Sequence, residues 1–169
     1  IKIINNHIYL GGTFTHFQGN GASWTYARNG ARLDINGKPD RTWNPEFNGA
    51  VIDIDVDENE TYYYAAGYFT RAHNRVVENA GRLSTAAGAE LDQSWTFRHS
   101  YLIGKYQQTV TAANGRVYFG GSQHSLFGYN SDSMTRTSGS ITMNNGGDLQ
   151  ASTRSATGVV YASCHCSDF

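Results

Sequence analysis

Asp53, Asp55 and Asp57 stand at alternate positions, a spacing that lines carboxylates along one face of a strand. Clustered carboxylates attract cations, and Asp-x-Asp-x-Asp is how an EF-hand calcium loop begins. Such a loop needs Gly at its sixth position and Glu at its twelfth. Glu58 and Tyr64 stand there, so the loop reading fails. Two readings remain: calcium at a carboxylate-lined channel, or the plainer one, a solvated strand face. No other cofactor is expected. A glycosidase needs two carboxyl groups flanking a glycosidic bond, and Asp53 and Asp55 are the pair to consider. Cys164-His165-Cys166 carries ligands of the zinc type, but a structural zinc site needs four ligands and the chain has only two cysteines. Cysteines two residues apart make a strained disulfide. The expected roles are therefore a half-buried strand cysteine or a bridge to a cysteine elsewhere.

Other candidates bind rather than react. Residues 18–27 hold Gly19, Asn20, Gly21, Trp24 and Tyr26. A Trp beside a Tyr in a loop is suited to stacking on a sugar or to anchoring a protein contact, with capping of a sheet as the structural alternative. His16, His73 and His124 follow similar Gly-containing segments and so occupy comparable loops, while His7, His99 and His165 are scattered. The candidate ligand-binding residues are Trp24, Tyr26, His16 and His73, and no catalytic residue or metal site is assigned. The chain lacks Gly-x-Ser-x-Gly, His-Glu-x-x-His, the P-loop pattern and the dinucleotide-binding glycines. Asn59-Glu60-Thr61 fits an N-glycosylation sequon.

The elements that must position these residues repeat. Ile8-Tyr9-Leu10-Gly11-Gly12 returns as Tyr63-Tyr64-Ala65-Ala66-Gly67, as Val117-Tyr118-Phe119-Gly120-Gly121 and, more loosely, as Val160-Tyr161-Ala162-Ser163-Cys164. Ala31-Arg32-Leu33 returns as Gly81-Arg82-Leu83, and Asp40-Arg41-Thr42-Trp43 as Asp92-Gln93-Ser94-Trp95. A fixed order at this period marks a solenoid, propeller or array. Within a unit, Val51 to Asp57 alternates, predicting Ile52, Ile54 and Val56 on one face and the aspartates on the other. Asn114-Gly115 between two β-favouring runs predicts a hairpin. About four short strands per unit, and no helical stripe, predict an all-β chain of propeller blades with four-stranded antiparallel sheets. The expected organisation is a single segment over residues 1–169, with repeats near 1–50, 51–100, 101–146 and an incomplete 147–169. About three complete blades do not close a ring of typically 4 to 8, so the expected partners include the rest of a larger chain or neighbouring subunits.

Composition narrows the function. A net charge of −1 over 169 residues lacks the basic footprint of a nucleic-acid binder. No apolar run approaches the ~20 residues of a membrane-spanning helix. Eleven tyrosines and 19 glycines suit strands and tight turns, with most rings buried and their hydroxyls reaching polar surroundings.

The pattern Ile8-Tyr9-Leu10-Gly11-Gly12-Thr13-Phe14, Ala31-Arg32-Leu33-Asp34, Asn36-Gly37 and Asp40-Arg41-Thr42-Trp43-Asn44-Pro45 resembles the delta-sixty-type β-propeller repeat. That repeat occurs in large secreted and surface bacterial proteins and in phage tail proteins. The likeness covers residues 1–97, holds in part over 98–135 and is thin beyond; the third copy lacks the Asp-Trp ending, and the fourth has Ser163-Cys164 for Gly-Gly. It implies a propeller in an extracellular, cell-surface or virion setting and supplies no catalytic residues. The expected function is a non-catalytic scaffold and binding face for a glycan, a receptor or a neighbouring subunit. The alternatives are a structural phage-tail or surface-assembly component, and a polysaccharide-active enzyme with its site at the channel. In the repeat, Trp43 and Trp95 are expected to fill gaps between sheets, and Asp40 and Asp92 to fix turns through their own side chains.

Overall fold

The computed structural model describes residues 1–98, 105–137 and 147–166, and the expected position of His99 lies outside them. All regular structure among the described residues is strand. The first sheet joins β1 (Lys2–Ile4), β2 (His7–Gly11) and β5 (Gly30–Asp34), with the small hairpin β3 (His16–Phe17) and β4 (Thr25–Tyr26) inserted before β5. The second repeats this plan with β6 (Val51–Val56), β7 (Tyr62–Gly67) and β10 (Ala80–Ser84), and the hairpin β8 (Arg71–Ala72) and β9 (Arg75–Val76). The third holds β11 (Gln107–Ala113), β12 (Arg116–Gly121) and β13 (Phe127–Asn130). The fourth pairs β14 (Asp148–Arg154) with β15 (Val160–His165). All pairings are antiparallel.

The expected fourth strand of each sheet is reduced to a single bridge: Leu33 to Pro39, Leu83 to Leu91 and Tyr129 to Arg136. Proline cannot donate to a ladder, and in the first sheet it stands at this edge position. The predicted hairpin at Asn114-Gly115 is present, with both residues at positive φ.

Three sheets carry a bulge at the same place, between Val51 and Asp53, Gln107 and Thr109, and Leu149 and Ala151. Opposite the first two sit the last glycines of the repeated motif. A Cβ on Gly67 would collide with the Ala50 carbonyl, and one on Gly121 with that of Tyr106. These glycines let two backbones close on each other. The bulge also corrects one expectation. It shifts the pleat by one residue, so Ile52 lies exposed while Val51, Ile54 and Val56 are buried.

First strands of successive sheets lie side by side, β1 and β6, β6 and β11, β11 and β14. Between the first two sheets the core contains Tyr9, Trp43, Phe47, Tyr63, Phe69 and Leu83. Trp43 packs edge-on to Tyr9 and Tyr63, with centroids 5.4 and 4.9 Å away, and donates its indole N–H to the Ser84 carbonyl at 3.1 Å. Between the second and third sheets Trp95 stacks on Phe119 with centroids 5.5 Å apart and meets Tyr129 edge-on at 5.4 Å. A smaller cluster around Leu126 and Leu149 joins the third to the fourth.

The outermost faces are covered only in part, with Leu33 buried and Ile8 half-buried but Ile3 and Tyr161 in solvent. Ile3, Ile8 and Leu33 form one cross-strand row in the first sheet. The equivalent row in the second, Val56, Tyr63 and Leu83, is fully buried by the first sheet. Ile3 is 60% exposed. At the other end Tyr161, in the position of the fully buried Tyr9 and Tyr64, is 58% exposed.

Candidate functional site

The inserted hairpin β3–β4 carries the aromatic candidates. Trp24 is 66% exposed and Tyr26 50% exposed, so the capping alternative for Trp24 does not describe its position. His16, paired with Tyr26 across the hairpin, sets its ring edge-on at 5.4 Å. The loop below is anchored. Asn20 N–H donates to the Gly37 carbonyl at 2.9 Å, Arg41 to the Ser23 hydroxyl at 3.1 Å, and Gly19 has no room for a Cβ against Gly37 and Pro39. The hairpin thus presents a Trp, a Tyr and a His on a backbone tied to the first sheet's outer edge. His73 belongs to the β8–β9 turn of the second sheet, where its backbone N–H reaches the Pro45 carbonyl and its Nε2 lies 3.2 Å from that of Ala89. Among the described residues no hydrogen bond or ring contact joins His73 to the aromatic hairpin. His124 follows β12, so the three loops lie beyond the same strand ends.

The first strands enclose a second feature, a cavity of about 180 Å3 lined by Lys2, Asp53, Asp55, Thr111, Ser152 and Arg154 among others. Here the expectation of a solvated aspartate face is corrected. Asp53 accepts hydrogen bonds from the N–H groups of Ile54 and Val110, both at 2.9 Å, and from the Thr109 hydroxyl at 3.1 Å. Asp55 accepts from Val56 and Ala112 N–H at 2.9 and 2.8 Å and pairs with Lys2 at 2.5 Å. The two carboxylates therefore tether β6 to β11 where no backbone ladder joins them. Burial holds the Asp53 carboxyl above its ordinary range despite the bonds from Val110, Ile54 and Thr109. Asp57, beyond the strand, closes its own turn by accepting from Thr61 and Tyr62. No group of three or more His, Cys, Asp or Glu among the described residues is arranged to hold a metal. Cys164 and Cys166 are joined to each other as a disulfide, their Cα atoms 5.3 Å apart, in place of the outside partner expected from sequence.

Two kinds of polar anchor were not assigned from sequence. Arg32 and Arg82 are buried, and each forms an ion pair with the aspartate of its repeat, Asp40 at 2.6 Å and Asp92 at 2.5 Å. Each also reaches the next sheet, Arg32 to the Thr85 carbonyl and Arg82 to those of Ser131 and Asp132. Asp40 and Asp92 use their other oxygen to hold Thr42 and Ser94, as the turn expectation required. Burial pulls both carboxyls up, but the bonds from Thr42 or Ser94 and from the guanidinium outweigh it and hold them below the usual range. Glu60 is the second anchor, accepting from Asn5 at 2.8 Å and Tyr9 at 2.9 Å and meeting His7 at 2.5 Å. Burial pushes the Tyr9 hydroxyl up to about 12. The arginines carried a signal in their repetition, since a charged residue recurring in an apolar strand before Asp-x-Ser/Thr-Trp asks for a buried partner. Glu60 carried none.

Comparison with protein-family models finds no match to this chain, and comparison with curated proteins finds none.

Proposed function

We propose that the chain is a non-catalytic β-propeller module of an extracellular, cell-surface or virion protein. It acts as a rigid scaffold that offers the Trp24–Tyr26–His16 hairpin to a glycan, a receptor or a neighbouring subunit. The observation that carries the reading is the hairpin itself: two large aromatic rings left in solvent on a backbone held to the first sheet by hydrogen bonds. Aromatic residues on a stiff support bind with little loss of side-chain freedom. The side-by-side first strands, with one sheet per repeat, support the blade arrangement.

The assembly reading is favoured by a different observation, the exposed Ile3 and Tyr161, whose counterparts in other sheets are buried between sheets. The enzyme reading relied on Asp53 and Asp55, and both carboxylates are occupied by backbone N–H groups of β11. The test is binding of the purified protein to a glycan array, to intact cells and to subunits of its source assembly, compared with Trp24→Ala and Tyr26→Ala. Binding that falls at least about tenfold in both variants supports the hairpin. Binding unchanged in both, or absent in the parent protein, overturns it.

A further inference from the structure

A cavity of about 280 Å3 opens where the hairpin turns of the second and third sheets meet. Its walls are the β6–β7 turn, the β11–β12 turn, Ser131-Asp132 after β13, and Arg154 of β14. These walls are set before anything enters. Asp57 closes its turn, Arg154 reaches Glu58 at 2.8 Å, Ser131 N–H donates to the Gly115 carbonyl at 3.0 Å, and Asn114 reaches the Gly158 carbonyl at 3.2 Å. The Tyr62 ring lines the cavity and is supported by the Arg82 guanidinium 4.2 Å from its centroid.

Neither sign dominates this space: the lining carries the carboxylates of Asp57, Glu58 and Asp132 and the guanidiniums of Arg116 and Arg154, a net charge of −1. Arg154 is paired with Glu58, and Asp57 is taken up by Thr61 and Tyr62 N–H. Arg116 and Asp132 remain, opposite in sign, and neither side chain has a hydrogen-bond or ion-pair partner among the described residues. The Asn59 amide and the Thr61 hydroxyl are likewise without one. A phosphate or a metal ion would call for a single dominant sign, and a hydrocarbon for apolar walls. Closely spaced donors and acceptors beside an aromatic ring fit a neutral, hydroxyl-rich ring. The volume lies below the ~300–1,000 Å3 of pockets that hold drug-sized ligands, which limits the occupant to about one such ring.

We propose that the cleft between the β6–β7 and β11–β12 turns binds one neutral sugar residue, with Asn59, Thr61, Arg116 and Asp132 engaging its hydroxyls beside Tyr62. The site stands on the cavity alone and is independent of the Trp24 hairpin. The test uses the whole isotope-labelled chain, titrated with glucose, galactose, mannose, N-acetylglucosamine and glucuronic acid while backbone amide resonances are followed. At least one neutral sugar should give saturable shifts at residues 57–62, 114–116 and 131–132. Arg116→Ala and Asn59→Ala, both exposed positions whose folded spectra can be verified, should each weaken that binding by about tenfold. Absence of saturable shifts with every neutral sugar overturns the proposal. So do tighter binding of glucuronic acid, shifts confined to the Trp24 hairpin, and variants that bind like the parent.

Discussion

Arg82 concentrates three functions in one side chain. It neutralises Asp92, crosses to the third sheet's backbone and covers the Tyr62 ring. Removing one member of a buried ion pair leaves the other uncompensated, so Arg82→Ala should destabilise the fold by about 3 kcal/mol in urea unfolding. Arg82→Lys should recover only part of this, because an ammonium cannot serve a carboxylate and two carbonyls in the same planar fork. The carboxyls of Asp40, Asp92 and Glu60 all lie below their ordinary values in the folded state, each held down by hydrogen bonds that outweigh burial. As pH falls, the unfolded chain therefore takes up these protons first. Their stabilisation is complete above the ordinary carboxyl range of about 4 and is withdrawn as pH drops through the folded values. Asp53, held up by burial, runs the other way, its contribution declining as pH rises through its raised value. With three groups against one, the thermal midpoint should drop on acidification below about pH 4. A midpoint unchanged down to pH 2 would contradict these assignments.

Strands, turns and bulges show which parts of this architecture local sequence carries. The Tyr and Gly repeats mark β2, β7 and β12, and Asn114-Gly115 marks its hairpin, because each depends on residues within a few positions of one another. The tryptophans and turn aspartates were legible for the same reason, being repeated with constant neighbours. Asp53 and Asp55 were not. Their partners, Val110 and Ala112, lie 57 residues further along the chain, and period two says only that the carboxylates share a side. Ile52 was misplaced because a bulge inserts a residue that alternation does not anticipate. Of the candidate site, the Trp24 loop was legible as a Trp and a Tyr among Gly and Asn residues at 18–27, whereas the cleft around Arg116 is built by three sheets and has no local signature. Asp53 also gives a test at this scale. Asp53→Asn keeps an acceptor for the Val110 N–H and should cost less than about 1 kcal/mol, while Asp53→Ala leaves that N–H unpaired and should cost about 1–3 kcal/mol in the same assay.

The whole molecule is a series of sheets with two unfinished faces. Those at Ile3 and Tyr161 differ from each other, so contact between two copies through them is head-to-tail and does not close on itself by necessity. The 169-residue chain on its own should therefore self-associate, with a sedimentation coefficient that rises with concentration. Ile3→Lys should return it toward a monomer, because a charge on that row opposes burial. A chain that stays monomeric at high concentration would show that the rows are too small to drive association.

Each sheet is made from one continuous stretch of chain, and in the first two an Arg reaches forward into the next. That connectivity has a mechanical consequence. Under tension applied at the two ends, force acts in series through units that are each closed within themselves. Rupture should then proceed one sheet at a time, in a sawtooth rather than a single event. Each of the longer sheets would release about 50 residues, or roughly 170 Å of extended chain, and the short fourth sheet less. The third-to-fourth junction should yield first, since Gly128 pairs with Tyr118 where Arg32 pairs with Tyr9, and Thr137 stands where Asp40 and Asp92 complete the bridge. Tethered in a stream, such a chain would lengthen by steps and absorb a pull before it let go.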